Sequence, residues 1–307
     1  MKQSAHLFPA RYREIPGSDA VRASSANRLL RNACLATAGI AIGSLHAELV
    51  LYPKPGLVSL IDNGSHADMD AGLFMRSLFS LRHYFVRVAH AGAADVPFGV
   101  LKELGIQAEQ RMLVATGGIN THRGAIFSLG LLCAAAGYCH GHGLPVSEST
   151  LRTVLMSQWG AALERHSMQA ASGTSHGMRV AHLYGISGAR EEAAKGFPAV
   201  FDIGLPQLRN TLAAGRSSYH AQVDALFALM AHMADTNIYH RGGPDGAVLA
   251  RQAAQGYIAL GGTAHPHWYD TALDCHRQFV SRGLSPGGAA DMLAASWFVY
   301  QTSLGME

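Results

Sequence analysis

An all-α fold is predicted for this chain of 307 residues by three features. Apolar residues recur at three-to-four-residue spacing over most of the length. β-Branched alternating runs of strand length are few, and no Asn-Gly pair joins two of them; Asn63-Gly64 instead separates an extended-looking segment from a helix. Apolar residues make up 49% of the chain, enough to bury a substantial core. The expectation is one compact multi-helix domain with little or no sheet.

The elements follow in order. Asn27–Leu51 carries the first helical period and ends where Pro53 and Pro55 hold the chain extended. Asp70–Ala89, Pro97–Ala115, Ala125–His140, Ser147–Glu164 and Ser217–Ala234 repeat the period. Gly188 to Ala193 reads as a short charged helix closed by the turn at Gly196. Pro198–Ala213, Asp245–Ala259, Pro266–Arg282 and Gly287–Thr302 complete the set, most of them preceded by glycine-bearing connections. No repeat and no linker divides the series. Residues 1–26 read as a loosely ordered tail and 27–307 as a single helical catalytic domain.

Composition narrows the function. Charged residues are 15% of the chain, against about 25% for soluble domains, so surface hidden in a homo-oligomer is expected. A net charge of +3 and the lack of any Lys/Arg-rich run argue against nucleic acid. Cys34, Cys133, Cys139 and Cys275 have neither CxxC nor zinc-ligand spacing, which fits reduced thiols in cytoplasm. The first residues lack the apolar stretch of a signal peptide. The apolar runs Ala33–Leu45 and Gly124–Cys139 fall short of the roughly 18 residues a membrane span needs, so packed core helices are expected and no membrane partner.

Polar groups gather at a few places beside this core. Gly117-Gly118-Ile119-Asn120-Thr121-His122-Arg123 sets a flexible pair, a helix cap, a titratable ring and a fixed cation against a long apolar helix, a grouping suited to an anion. Glu48 closes the first helix, and Lys54 follows on the proline-stiffened turn, placed to meet phosphate while Glu48 takes a metal or a ribose hydroxyl. The alternative for Lys54 is a solvated loop lysine. Asp62, Asp68 and Asp70 precede a helix; one suffices as its cap, and the surplus suits magnesium. Asp235-Thr236-Asn237 and His240-Arg241-Gly242-Gly243 repeat the grammar of the first cluster, as a helix that runs out of apolar residues. Ser285-Pro286-Gly287-Gly288 forms a helix entrance, an ordinary cap or a phosphate cradle. His176, Arg179 and His182 carry little weight as lone helical groups. The histidine pairs His140/His142 and His265/His267, and His232 with Asp235, lack the spacing of a transition-metal site.

Taken in sequence, PKPGLV, GSHADMD, GGINTHRGAIFSLGLL, GAREEAAKGFP, DTNIYHRGG and SPGGAADMLA resemble the triphosphoribosyl-dephospho-coenzyme A synthases from about Asn27 to Trp297. The stretch Leu51 through Phe85 is similar to the branch serving malonate decarboxylase rather than citrate lyase. The resemblance implies that ATP acts as a glycosyl donor. Its triphosphoribosyl unit joins the ribose 2′-hydroxyl of 3′-dephospho-coenzyme A, adenine leaves, and magnesium attends the intact triphosphate. An oxocarbenium-like transition state then needs a carboxylate at the sugar and a donor at the base.

On this reading Lys54, Arg123 and Arg241, with Gly287 and Gly288, are expected to bind the triphosphate or the coenzyme's pyrophosphate. Asp62, Asp68 and Asp235, beside Glu48, are the expected magnesium ligands or oxocarbenium stabilisers, with Asp68 and Asp235 counted as catalytic. His122 is the expected acid or base. Asn120 and Asn237 are to orient ribose hydroxyls, and Arg190 and Glu192 to close over a substrate. Glu191 stands where the family often has glycine. Two rival classes remain at this stage: a magnesium-dependent, all-helical hydrolase of nucleotide ribose, and a noncatalytic nucleotide-binding protein.

Overall fold

A computed structural model describes residues 18–168, 183 and 188–305, with side chains from Ser25 onward. Among the described residues there are eleven α-helices and no strand. The fold is all-α. The first helix, α1 (Ser18–Val50), begins ahead of Asn27, because the sequence from Ser18 to Ala26 holds neither proline nor glycine to stop it. Then come α2 (Ala71–Ala93), α3 (Phe98–Ala115), α4 (Arg123–Gly141), α5 (Glu148–Met168) and the short α6 (Ala189–Ala194). A π-helical turn at Ala199–Gly204 runs into α7 (Leu205–Ala213), so the predicted helix from Pro198 is one rod that opens with a wider turn. The series ends with α8 (Ser218–His232), α9 (Thr236–Ala259), α10 (Trp268–Ser281) and α11 (Gly287–Ser303).

α4 is the centre of the fold. It is apolar on every face and is surrounded by α1, α2, α3, α5, α6 and α11. Where α2 crosses it the backbones nearly touch: a Cβ on Gly92 would fall on the carbonyl oxygen of Ala134, and one on Gly137 on that of Ala89. The buried Tyr84 hydroxyl donates to the Ile126 carbonyl across the same crossing, at 2.9 Å. α8, buried from Ala221 to Ala231, has a matching place among α7, α9 and α11. One apolar cluster links both groups, from Cys34 on α1 to Val299 on α11. α1 and α4 are long and apolar enough to cross a membrane, longer than the apolar runs on which the opposite expectation rested; α4 is 72% buried inside the protein.

Two helix boundaries depart from expectation and bear on the site. The Asp235 segment does not end a helix. α8 stops at His232, and Asp235 caps the start of α9, accepting from the Asn237 amide at 2.8 Å. α9 then breaks at Gly243, whose φ of 60° only glycine adopts readily, just before Pro244. The helix predicted from Asp245 is the part beyond that break.

Candidate active site at a junction of helix ends

The last carbonyls of α1 have no partner within the helix, and Lys54 supplies one. Its ammonium donates to the Glu48 carbonyl at 2.7 Å and to Glu48 Oε1 at 2.6 Å, and the residue is 1% exposed. Lys54 is therefore neither a solvated loop lysine nor turned toward open space for a phosphate. It anchors the turn and neutralises Glu48. Burial pulls its pKa down and Glu48 opposes the shift.

The loop beyond is fastened to α10. His276 Nδ1–H donates to the Lys54 carbonyl at 2.9 Å, while its Nε2 lies 3.2 Å from Asp62 Oδ2. Asp62 Oδ1 accepts from the Gly64 amide at 2.8 Å. Asp70 is the member of the acidic run that caps α2, accepting from Leu73 N at 2.6 Å. Asp68 lies exposed, 3.8 Å from His66. The expected set Glu48, Asp62, Asp68 and Asp235 thus does not converge. Among the described residues no group of three or more His, Cys, Asp or Glu is placed to hold a metal by itself. The reason is local: Asp62 is spent on its own turn and on His276, and Asp68 stays exposed on its loop beside His66 and Arg241.

The acid that does join Glu48 and Asp235 is Asp291, one turn into α11. Gly124 makes room for it at the start of α4, where a Cβ would strike Asp291 Oδ2, and the Ala125 amide donates to its carboxylate. Asp235 ties the neighbouring pair of helix starts. Its Oδ1 accepts from Asn237 N and its Oδ2 from Ala289 N at 2.9 Å, joining α9 to α11. Gly287 and Gly288 permit that approach: Cβ atoms there would stand 2.9 Å from Asn237 Nδ2 and 3.1 Å from the Asp235 carboxylate. Their visible role is to admit Asp235 and Asn237 at the helix entrance expected to cradle phosphate, where the next amide, Ala289 N, already serves Asp235. Three helix N-termini, those of α4, α9 and α11, therefore meet around two carboxylates, with the Glu48–Lys54 pair beside them. Such an assembly favours negative charge through its amides.

Burial raises the pKa of Asp235, and its backbone donors hold the rise in check. Asp291 is raised well above the usual carboxylate range by burial first, then by Glu48 and Asp235. The residue keeps some accessible surface, but its carboxyl lies between helix starts, so desolvation of that group outweighs the exposure of the residue as a whole.

The two motifs of similar grammar divide their residues between this junction and its supports. His122 is buried at the start of α4 with Nδ1 2.7 Å from Ser77 Oγ on α2. Burial, then the Lys54 charge, lowers its pKa to about 3. Asn120 provides the expected cap, accepting from Arg123 N at 3.1 Å, but Thr121 turns to Ser77 instead. Arg123 points away, its Nε donating to Glu109 on α3 at 2.6 Å. In the other motif Asn237 donates from its side chain to Asp235. Arg241 donates to the carbonyls of Ser65 and Gly283, each at 3.1 Å, and to His66 Nδ1 at 3.0 Å. Since Nδ1 accepts there, His66 Nε2–H donates to Ser285 Oγ at 2.9 Å. Arg241 thus clamps two loops rather than facing a phosphate. Burial and Arg241 lower His66 to about 4.

Arg190 and Glu192 lie on α6, which packs on α5 and α4. Arg190 reaches the His166 carbonyl at 3.4 Å, and Glu192 Oε2 accepts from Ala199 N at 3.1 Å. These contacts do not connect them to the Asp235 junction. Glu191, in the place of a common glycine, accepts from Gly188 N at 2.9 Å and so caps its own helix. His140 meets Thr37, and His142 stacks on Tyr138. His176, Arg179 and His182 fall outside the described residues. Sequence reasoning missed Asp291 and Ser77. Asp291 had a signal, a carboxylate one turn past Gly287-Gly288 among Ala, Met and Leu; Ser77 had none.

The model of the ATP:dephospho-CoA triphosphoribosyl transferase family matches residues 34–306. A probable 2-(5″-triphosphoribosyl)-3′-dephosphocoenzyme-A synthase of Acinetobacter calcoaceticus is 39% identical over 83% of this chain and 87% of its own. The synthase of that name from Pectobacterium atrosepticum is 39% identical over 84% of this chain and 86% of its own. A probable one from Pseudomonas fluorescens is 41% identical over 84% and 88%. No solved structure matches. With nearly all of the helical core inside the matched span, the chain belongs to the ATP:dephospho-CoA triphosphoribosyl transferase family.

Proposed function

We propose that the junction of the α4, α9 and α11 N-termini is where this chain transfers the triphosphoribosyl group of ATP to the 2′-hydroxyl of 3′-dephospho-coenzyme A. The single observation behind this placement is the meeting of three helix starts around Asp235 and Asp291, with Glu48 beside them. Helix starts suit a triphosphate, and buried carboxylates suit a cationic sugar. One site thus holds complementary groups for both halves of the donor.

In the reaction the bond from the ribose anomeric carbon to adenine breaks, and its electron pair leaves with the base. The acceptor 2′-oxygen bonds to that carbon, and the hydroxyl proton ends on adenine. Asp235 stabilises the positive charge that develops on the sugar, while Glu48 stays paired with Lys54 beside it. Asn120 and Asn237, exposed at the mouth of the junction, orient ribose hydroxyls. His122 donates a hydrogen bond from beneath. Arg123 and Arg241 act on phosphates only by leaving the partners described above. Arg190 and Glu192 belong to a separate face that accommodates the second nucleotide.

Magnesium fits this donor set as a partner of the substrate. An ion whose shell is completed by phosphates usually needs only one or two protein carboxylates, and Asp235 and Asp291 are the residues to hold it. Bound there, it would neutralise the triphosphate without activating phosphorus. The similarity of Leu51 through Phe85 supports a product destined for malonate decarboxylase, the use of ATP supports a cytoplasmic setting, and the 15% charged content supports a homo-oligomer.

Mass spectrometry of purified protein with ATP, magnesium and 3′-dephospho-coenzyme A tests the reading. Free adenine and triphosphoribosylated coenzyme are expected together. Adenine with free triphosphoribose would favour the hydrolase, and ADP without adenine would overturn glycosyl transfer.

A further inference from the structure

His122 is a neutral imidazole whose tautomer can be read from its neighbours. Thr121 Oγ1 donates to Ser77 Oγ at 2.6 Å, and Ser77 Oγ lies 2.7 Å from His122 Nδ1. Ser77 is fully buried. A hydroxyl has one proton to give, and among the described residues the acceptor recorded for it is His122 Nδ1. If Nδ1 carried the ring proton, Ser77 would receive from both neighbours and its own O–H would be stranded in the core. The arrangement that satisfies every group runs from Thr121 through Ser77 to Nδ1 and leaves the ring proton on Nε2. The Phe74 ring packs edge-on against the imidazole, 5.0 Å between centroids, and fixes its plane. Among the described residues no hydrogen bond is made by Nε2.

We infer that Thr121 and Ser77 are positioning residues that hold His122 as the Nε2–H tautomer, so that it offers substrate a hydrogen-bond donor and is not the base that deprotonates the acceptor hydroxyl. The inference deepens the proposed glycosyl transfer and rests on it for the meaning of that donor. The tautomer itself is independent of the reaction. Its consequence is that His122 does not take the acceptor hydroxyl's proton, because Nδ1 already accepts from Ser77 and Nε2 already carries a proton.

The test is a long-range proton–nitrogen correlation spectrum of the full chain labelled with nitrogen-15 histidine, the His122 signals being assigned by their loss in His122→Asn. At neutral pH a pyridine-type Nδ1 and a pyrrole-type Nε2 are expected. Ser77→Ala is expected to mix or reverse that pattern and to lower kcat about tenfold or more with the KM for ATP little changed; Ser77→Thr, which keeps the hydroxyl, is expected to restore both. A pyrrole-type Nδ1 in the parent protein, or a Ser77→Ala spectrum with the parent's pattern, would overturn the inference. Should Ser77→Ala not fold, the parent spectrum and that of Ser77→Thr still decide. A parent protein with the expected tautomer but no adenine release would sink the glycosyl-transfer reading alone, whereas adenine release with the opposite tautomer would sink only this one.

Discussion

The segments around His122–Arg123 and Asp235–Arg241 are written in the same chemical vocabulary, yet the fold uses them differently. In the first, an imidazole is drawn beneath the start of α4 while the arginine swings out to Glu109. In the second, a carboxylate is drawn under the starts of α9 and α11 while the arginine ties the Ser65 and Gly283 loops together. In both, the group near the cap turns inward and the long cation staples the rim. The lesson is that a cation beside a helix start is no phosphate ligand until its existing partners are known. Short polar side chains satisfy helix ends, whereas an arginine, with five donors on a long stem, takes up distant carbonyls and carboxylates.

The sharpest way to break this comparison is to neutralise the inward carboxylate. Asp235→Asn keeps the cap on Asn237 N but removes the charge and sets an amide against the Ala289 N–H, so adenine release is expected to fall about 10²–10³-fold in steady-state assays, with a loss of about 1–3 kcal/mol in stability. A variant of parent activity would put the junction outside the chemistry. Next in size, Lys54→Met strips Glu48 of its buried counter-ion. A loss of about 3–5 kcal/mol in denaturant titrations is expected, largely recovered in the double variant with Glu48→Leu. Smaller still are the rim arginines. Arg241→Gln, which releases two loops, is expected to cost more than Arg123→Gln, whose half-exposed pair with Glu109 is expected to contribute about 1 kcal/mol or less.

A pH series sharpens the contrast between the two histidines. Each is held neutral in the fold, His122 down to about 3 and His66 down to about 4, from an ordinary 6.5. Between those values and 6.5 the unfolded chain binds more protons than the folded one, so stability is full above pH 6.5 and declines as pH falls. The His66 part of the decline is expected to level off near pH 4, and the His122 part to continue toward 3. Urea midpoints measured across this range, with His66→Gln and His122→Gln flattening their own windows, check the assignment.

Much of the fold was legible because helical periodicity is written residue by residue. The ten long predicted segments all became helices, with ends set by Pro53, Asp70 and Gly287. What escaped was whatever depends on two distant segments. Asp235 read as a helix end because apolar residues run out at Ala234, while its partner, Ala289 N, lies far along the chain. Lys54 read as free because no local signal says that a lysine will fold back onto Glu48. Ser77 is an unremarked serine in α2 until His122 arrives beside it. Asp62 and Asp68 looked like ligands by residue type, which sequence supplies, and failed by direction, which it does not.

The most direct test of the account is single-turnover adenine release by Asp291→Asn at saturating ATP and 3′-dephospho-coenzyme A, since that residue stands out only once the helix starts are brought together. A fall of about 10²-fold or more with the chain still folded is expected. Release at the parent rate would show that the junction of helix starts is a packing feature and that the chemistry lies elsewhere.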